Sequence, residues 1–434
     1  MDLDTQRKQK LFSVRVATMD ADLEFKIEEN ALGRDLFDLV CRTLGLRELW
    51  YFGLQFNSTK GYYLWLQMNK KLLKQNVKQT DGSIYFVFLV KFFPEAVEDE
   101  LIQDITRHLF YLQVKQSIIK MDVYCPPEAS VLLATYAVQA ELGDFDGDSY
   151  KSGMLQLDQL LPQRVLSQYQ MTPEMWEDRI KDWWMNNRGL SREDAELEYL
   201  KIAQDLDMYG VHYFAITNKK NTDLWLGVSP LSVNIYSRTN KLVPNPCFKW
   251  SEISKISFRN KKFTIKCLDN SETSFWSLNM AVNQVILDLC IGSHNLFLRR
   301  RQQDPLEIQQ MKLQAKNERQ RKQDELARAR LAEQSAKDRL YDVDGTPTST
   351  YVSSPSVVPT ISSYHQLDTP STAAYSICSL RFSILVRSRH SVLCFCFALI
   401  GERVLFASQD LRRSVPTMSH HRHTNNTAAF RCII

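Results

Sequence analysis

The stretch Glu198 to Phe214, EYLKIAQDLDMYGVHYF, constrains this chain more than any other. Leu200, Ala203, Leu206 and Met208 recur near helical spacing, which predicts an amphipathic helix. Gly210 supplies the left-handed residue on which helices commonly stop. Val211 to Ile216 then switches to β-branched and aromatic residues, the habit of a strand. A helical unit therefore hands over to a β-rich unit with almost no linker. Coupling that tight predicts lobes packed into one rigid body rather than beads on a string.

The chain has 434 residues, enough for about three domains. Its hydrophobic content of 44% and charged content of 24% suit a soluble protein with a real core. A net charge of only +4 means that attraction to an acidic partner must come from local patches, and nucleic acid is not an expected partner. The nine cysteines are scattered, as in a reducing compartment. The first twenty residues carry charge throughout and no apolar stretch, so no secretory signal is expected. Val392 to Ile400 is too short to span a bilayer.

Residues 9–95 read as a small ββαββ unit of ubiquitin-like order. Phe12, Val14 and Val16, then Leu23, Phe25 and Ile27, alternate with polar residues and predict a hairpin. A helix follows with Leu32, Leu36, Leu39 and Val40 on one face, then strands at Trp50 to Phe56, Tyr62 to Leu66 and Ile84 to Val90. Residues 96–209 read as a helix bundle. Pro126 and Pro127 open one helix, Thr172-Pro173-Glu174 caps another, and Ser191 with Asp194 resembles a capping box. Trp176, Trp183 and Trp184 are expected to be packing residues. Residues 210–303 return to strands closed by one helix with Val282, Val285, Ile286 and Leu289 inward, the plan of pleckstrin-homology and phosphotyrosine-binding-like lobes. Residues 304–342 read as a long charged helix whose middle, Lys316 to Glu325, has almost no apolar stripe, so a firm coiled coil is not expected. Residues 343–434 read as disordered or atypical.

Chemistry for catalysis is missing: there is no phosphate-cradling glycine-rich loop and no GxSxG. Asp144, Asp146 and Asp148 alternate faintly like a calcium loop, but Leu155 stands where a twelfth-position Glu is needed. No metal, no cofactor and no enzyme activity are expected.

The order of the four regions, with KFFPE at Lys91 to Glu95, YCPPEASVLLATYAVQA at Tyr124 to Ala140, LLPQRV at Leu160 to Val165, the junction above, RRR at Arg299 to Arg301 and QQMK at Gln309 to Lys312, resembles the FERM family. More narrowly, it is similar to the ezrin, radixin, moesin and merlin group. The resemblance implies an α+β cloverleaf: a ubiquitin-like lobe, an acyl-CoA-binding-protein-like helical lobe and a pleckstrin-homology-like lobe. It also implies a scaffold at the cell cortex and inner face of the plasma membrane. Its partners there would be membrane-protein tails, phosphatidylinositol bisphosphate, signalling kinases and junctional proteins, with the actin cytoskeleton a further candidate. Restraint of growth signalling, including the Hippo kinase pathway, is implied as well. A membrane–cortex linker and an open, dominant-negative fragment are the alternatives.

Two sites are implied. In relatives, positions matching Asn69, Lys70 and Lys71 in the first lobe and Lys261, Lys262 and Lys266 in the third flank a cleft that binds phosphatidylinositol bisphosphate. Each cation near an anionic leaflet contributes about 1 kcal/mol. Gln67 and Gln284 stand where relatives carry lysines, so a weakened lipid switch is expected, with ordinary solvated lysines the alternative. The second site is a groove in which an extended peptide pairs with the edge Ile253 to Phe258, including Ile256, against Leu287, Ile291 and His294 of the closing helix. Ile256 and Leu287 could equally be core. Relatives continue into a masking C-terminal domain that residues 343–434 do not resemble, which leads to the expectation of a permanently open module.

Overall fold

The computed structural model describes residues 11–80, 82–341, 387–388, 391–392 and 431–433. Two compact units divide the chain, residues 1–318 with 425–434, and residues 319–424. The first unit holds all three lobes.

In the first lobe, β1 (Leu11–Ala17) and β2 (Asp22–Glu28) form the hairpin, followed by α1 (Gly33–Thr43), β3 (Phe52–Asn57), β4 (Tyr63–Trp65), β5 (Gln79–Thr80) and β6 (Ser83–Val90). The sheet runs β2-β1-β6-β3-β4, with β1 and β6 parallel and β5 on β6. Val14 and Val16 point inward from alternate positions of β1 and are fully buried, as period-2 spacing requires. Leu36 and Val40, one helical turn apart, bury the inner face of α1. The strand expected from Trp50 begins only at Phe52. Leu49–Tyr51 form a 3-10 turn instead, which sets the Tyr51 ring edge-on against Phe110, 5.5 Å between centroids.

The second lobe contains α2 (Val97–Glu100), α3 (Asp104–Ile119), α4 (Pro127–Leu142), α5 (Leu157–Leu160), α6 (Gln163–Gln168), α7 (Pro173–Trp184) and α8 (Arg192–Ala203). The Thr172 hydroxyl accepts from Met175 N and the Ser191 hydroxyl from Asp194 N, capping α7 and α8 as predicted. Trp176 and Trp184 are buried, but Trp183 is 54% exposed and is not a packing residue. Neighbours on a helix lie about 100° apart, and Trp184 takes the inward position, its Nε1 donating to Gly143 O at 2.8 Å. The junction helix stops at Ala203, earlier than its pattern predicts. Leu206, Met208 and Tyr209 stay buried through the turns that follow. Gly210 has φ +65°, and a Cβ there would lie 2.9 Å from Phe93.

These two lobes share one continuous core. Phe52 stacks on Phe88 at 5.1 Å, and Phe110 of α3 meets Phe52 edge-on at 5.8 Å.

The third lobe comprises β7 (His212–Thr217), β8 (Asp223–Val228), β9 (Ser232–Ser237), β10 (Cys247–Lys249), β11 (Ile253–Arg259), β12 (Lys262–Cys267), β13 (Glu272–Ser277) and α9 (Met280–Arg299). Its sheet runs β10-β9-β8-β7-β13-β12-β11 around a core of its own that includes Ile256, Phe263, Phe275, Ile286 and Leu289. Ile286 and Leu289 are fully buried, whereas Val282 and Val285 are only half-buried against it. A short strand, Arg431–Ile433, pairs antiparallel with β11, placing Ile433 opposite Lys255 and Arg431 opposite Ser257. An edge strand presents unpaired N–H and C=O groups that pair with extended backbone. The remaining calls on residues 343–434 lie outside the described residues.

The long helix, α10 (Leu306–Tyr341), begins by burying Ile308 and Met311 against Ile102 of the second lobe. The second unit contains its later turns and a two-residue pairing of Arg387–Ser388 with Ser391–Val392. Among the described residues, no helix is long and apolar enough to cross a membrane.

Candidate functional site

The third lobe meets the other two through α9. Gln284, Asp288, Gly292, Leu296 and Arg300 follow one another at steps of four, a stripe that winds slowly round the helix. At its apolar middle, a Cβ on Gly292 would lie 2.1 Å from Phe92 Cζ, so any larger residue there must push the Phe92 ring aside. Leu296 packs against the core shared by the first two lobes. At its C-terminal end, Arg300 Nε donates to Glu100 at 2.6 Å and Nη2 to the Phe93 carbonyl at 2.8 Å, while Arg301 reaches Glu95 at 3.0 Å. Arg299 lies over the Trp50 ring at 4.0 Å. The three arginines of the RRR string therefore tie the end of α9 to the first two lobes, with Arg300 and Arg301 sharing Glu95.

The other end of the stripe is polar. The Gln284 side-chain amide donates to Asp288 Oδ1 at 2.8 Å. Burial raises the Asp288 carboxyl above the ordinary carboxylate range, against the pull of the Gln284 hydrogen bond and of the Lys91 and Lys70 charges. Lys91, just past β6, packs its ammonium over Trp65 at 5.4 Å and Phe92 at 5.1 Å. Burial lowers its pKa, and Asp288 opposes that shift. The Lys91 carbonyl accepts from His212 Nε2 at 2.8 Å, so the neutral ring carries its proton on that nitrogen. Burial holds His212 below its ordinary 6.5. Lys70 stands exposed at the rim. The result is a seam between first and third lobes that contains two cations, one carboxylate and two aromatic faces.

The predicted lipid residues fall in three places. Asn69, Lys70 and Lys71 lie in one loop strapped to α1, with Lys70 O accepting from Gly33 N at 2.9 Å and Lys71 Nζ donating to Asn30 at 2.7 Å. Lys261 and Lys262 are exposed in the β11–β12 turn, which Asn283 ties to the first turns of α9 by donating to Asn260 O at 2.8 Å. That turn and Gln284 therefore sit at the same end of the helix. Lys266 lies near the far end of β12, opposite Glu272 and about 13 Å along the strand from Lys262, and is not brought to this corner. Lys91, Asp288 and His212 were not singled out from sequence. The four-residue step from Gln284 to Asp288 was the signal that could have found the acid.

In the second predicted site, Ile253, Ile256 and Leu287 are buried in the third-lobe core. Inward alternation on β11 and the inner face of α9 put them there, so they cannot line an open groove. Phe258, Ile291 and His294 remain partly exposed between β11 and α9. His294 lies 6.0 Å from Trp250, and burial lowers its pKa.

Comparison with known proteins agrees with this three-lobe plan. Residues 16–78 match the FERM N-terminal domain, 96–214 the FERM central domain and 218–305 the FERM C-terminal PH-like domain. The chain is 56% identical over 318 residues to "Moesin/ezrin/radixin homolog 2" of Drosophila melanogaster, covering 72% of this chain and 50% of that protein. It is 56% identical over 314 residues to human Merlin, covering 72% of this chain and 52% of that protein. It thus spans about half the length of these relatives. The crystal structure of the Drosophila Merlin FERM and C-terminal domain complex superposes with a TM-score of 0.65 at 56% identity, covering 67% of this chain and 97% of that one. A Dictyostelium myosin VII MyTH4-FERM domain, at 18% identity and a TM-score of 0.54, shares the fold alone. From the lobe order, the α9 stripe and these matches together, the chain belongs to the FERM family, in its ezrin, radixin, moesin and merlin group.

Proposed function

We propose that this chain is a non-enzymatic scaffold that holds cytoplasmic tails of membrane proteins at the inner face of the plasma membrane and so links membrane to cortex. The observation that carries the reading is the β11 edge, where Lys255 to Ser257 pair with the chain's own Arg431–Ile433, a strand that an incoming tail would replace. Backbone pairing gives affinity there, and the partly exposed apolar side chains select residues of the incoming strand. The test is titration of a fluorescently labelled juxtamembrane tail peptide. His294→Glu, outside the buried third-lobe core, should weaken binding about tenfold, and unchanged affinity would sink the groove.

A second contact is supported by the seam. Lys70 and Lys71 at its rim, with Lys261 and Lys262 at the same end of α9, present cations to an anionic leaflet, where each contributes about 1 kcal/mol. Phosphatidylinositol bisphosphate is the expected lipid, and docking should weaken as salt is raised. Recruitment of signalling kinases and junctional proteins, and restraint of growth signalling through the Hippo pathway, belong to the same proposal. They rest on family membership rather than on geometry.

A further inference from the structure

The corner that carries Lys261 and Lys262 also presents apolar side chains to water. Leu278 is 63% exposed in the link between β13 and α9, and Met280, the first residue of that helix, is 61% exposed. Asn279 between them is the N-cap. Its side-chain oxygen accepts from Val282 N at 3.0 Å, and its backbone is extended, with φ −159° and ψ 173°. Extended backbone sends alternate side chains to one side, so Leu278 and Met280 share a side. Hydrogen bonds lock this link to the lysine turn. Ser277 N donates to Lys261 O at 2.9 Å, and the Asn283 amide donates to Asn260 O at 2.8 Å. Asn260 holds φ +55°, the left-handed value that a tight β11–β12 turn requires, and Arg259 pairs across it with Lys262. Three exposed cations and two exposed apolar side chains therefore ride on one rigid corner, and no first-turn residue of α9 is acidic. A lone exposed leucine is ordinary on a protein surface. An apolar pair set beside clustered cations has the composition of an interfacial anchor, and two side chains are too small a patch for a protein interface of standard size.

We propose that Leu278 and Met280 form an apolar wedge that enters an anionic leaflet while Arg259, Lys261 and Lys262 beside them hold its phosphates. The inference rests on the lipid reading above and specifies how that corner seats in the bilayer. The cations draw the lobe to the surface from about a Debye length away, and salt screens that attraction. The wedge adds a short-range grip that salt does not screen, because it comes from apolar area removed from water. It also sets orientation, with the N-terminal end of α9 facing the bilayer.

The test uses the full chain and co-sedimentation with phosphatidylcholine vesicles, with and without phosphatidylinositol bisphosphate, at low and raised salt. Leu278→Ser with Met280→Ser should weaken binding to the phosphoinositide vesicles about tenfold, the effect of withholding two apolar side chains from the hydrocarbon boundary. The binding that the parent keeps at raised salt should be lost in this variant. Melting temperature should not move, because both side chains face water. Leu268→Ser removes a leucine 67% exposed at the far end of the β12–β13 hairpin, about 20 Å along β12 from Lys262, and should match the parent. Soluble inositol trisphosphate offers phosphates without hydrocarbon, so parent and double variant should bind it equally. A double variant weakened to the same degree toward vesicles and inositol trisphosphate has lost the headgroup site instead, and that overturns the wedge. If the double variant binds vesicles like the parent while Lys261→Ala with Lys262→Ala weakens binding, the wedge falls and the lipid reading stands. If the lysine pair has no effect either, this corner is not the lipid site and both fall.

Discussion

The two seams of the first lobe are built from opposite materials. Toward the second lobe it presents Tyr51, Phe52 and Phe88, which interleave with Phe110 in one dry core. Toward the third lobe it presents Lys91, Phe92 and the Lys70 loop, which meet Gln284, Asp288 and a glycine. The first seam is held by area removed from water, so the two lobes should unfold together. The second is held by a few directed contacts and retains cations that a partner can reach. A dry seam makes one body, whereas a charged seam keeps polar groups within reach of water.

The contrast breaks hardest at Phe110. Phe110→Ala should cost about 4 kcal/mol in urea unfolding, and a single transition for the first two lobes should persist at lower midpoint. Loss of the second lobe alone would show that the core is not shared. Arg300→Ala should cost about 3 kcal/mol, because it takes the counter-charge from Glu100, which keeps only neutral donors, and the side-chain donor from the Phe93 carbonyl, in a place only 12% exposed at the arginine. Calorimetry should show the third lobe separating from the other two, and one unsplit transition would contradict the clamp.

A subtler break is Gly292→Ala. Its added methyl group meets Phe92 and should cost about 2 kcal/mol, read as faster amide exchange along α9 with the Phe110 core unchanged. Equal protection in both proteins would mean that Phe92 simply swings aside. The smallest effect concerns pH. His212 is held neutral in the fold, with a pKa below its ordinary 6.5, so its contribution to stability is complete above 6.5 and is lost as pH falls through the lower folded value. Melting temperature should therefore drop between pH 7 and 5, and His212→Gln should flatten part of that drop. An identical slope in the variant would clear His212 of the role.

Much of the fold is legible in the sequence because it rests on local rules. The period-2 runs of Phe12 to Val16, the caps at Thr172 and Ser191 and the glycine at 210 each act over a few residues. What escapes is decided by tertiary neighbours. Tyr51 leaves its strand pattern to meet Phe110, and Trp183 is indistinguishable from Trp184 until α7 is rotated onto α4. The three residues of β10 carry too little pattern to be seen. The loop lysines at 70, 71, 261 and 262 could be picked out as exposed cations. Lys91 and Asp288 could not, because their meaning arises only where two lobes far apart in sequence touch.

One helix serves as a party wall. Gln284 and Asp288 of α9 look onto the charged seam, while Ile291 and His294 look onto the groove beside β11. A stiff rod cannot tilt for a tenant on one side and stay put for the other. Any influence that a ligand on one face has on binding at the other would be equal from whichever side it is measured.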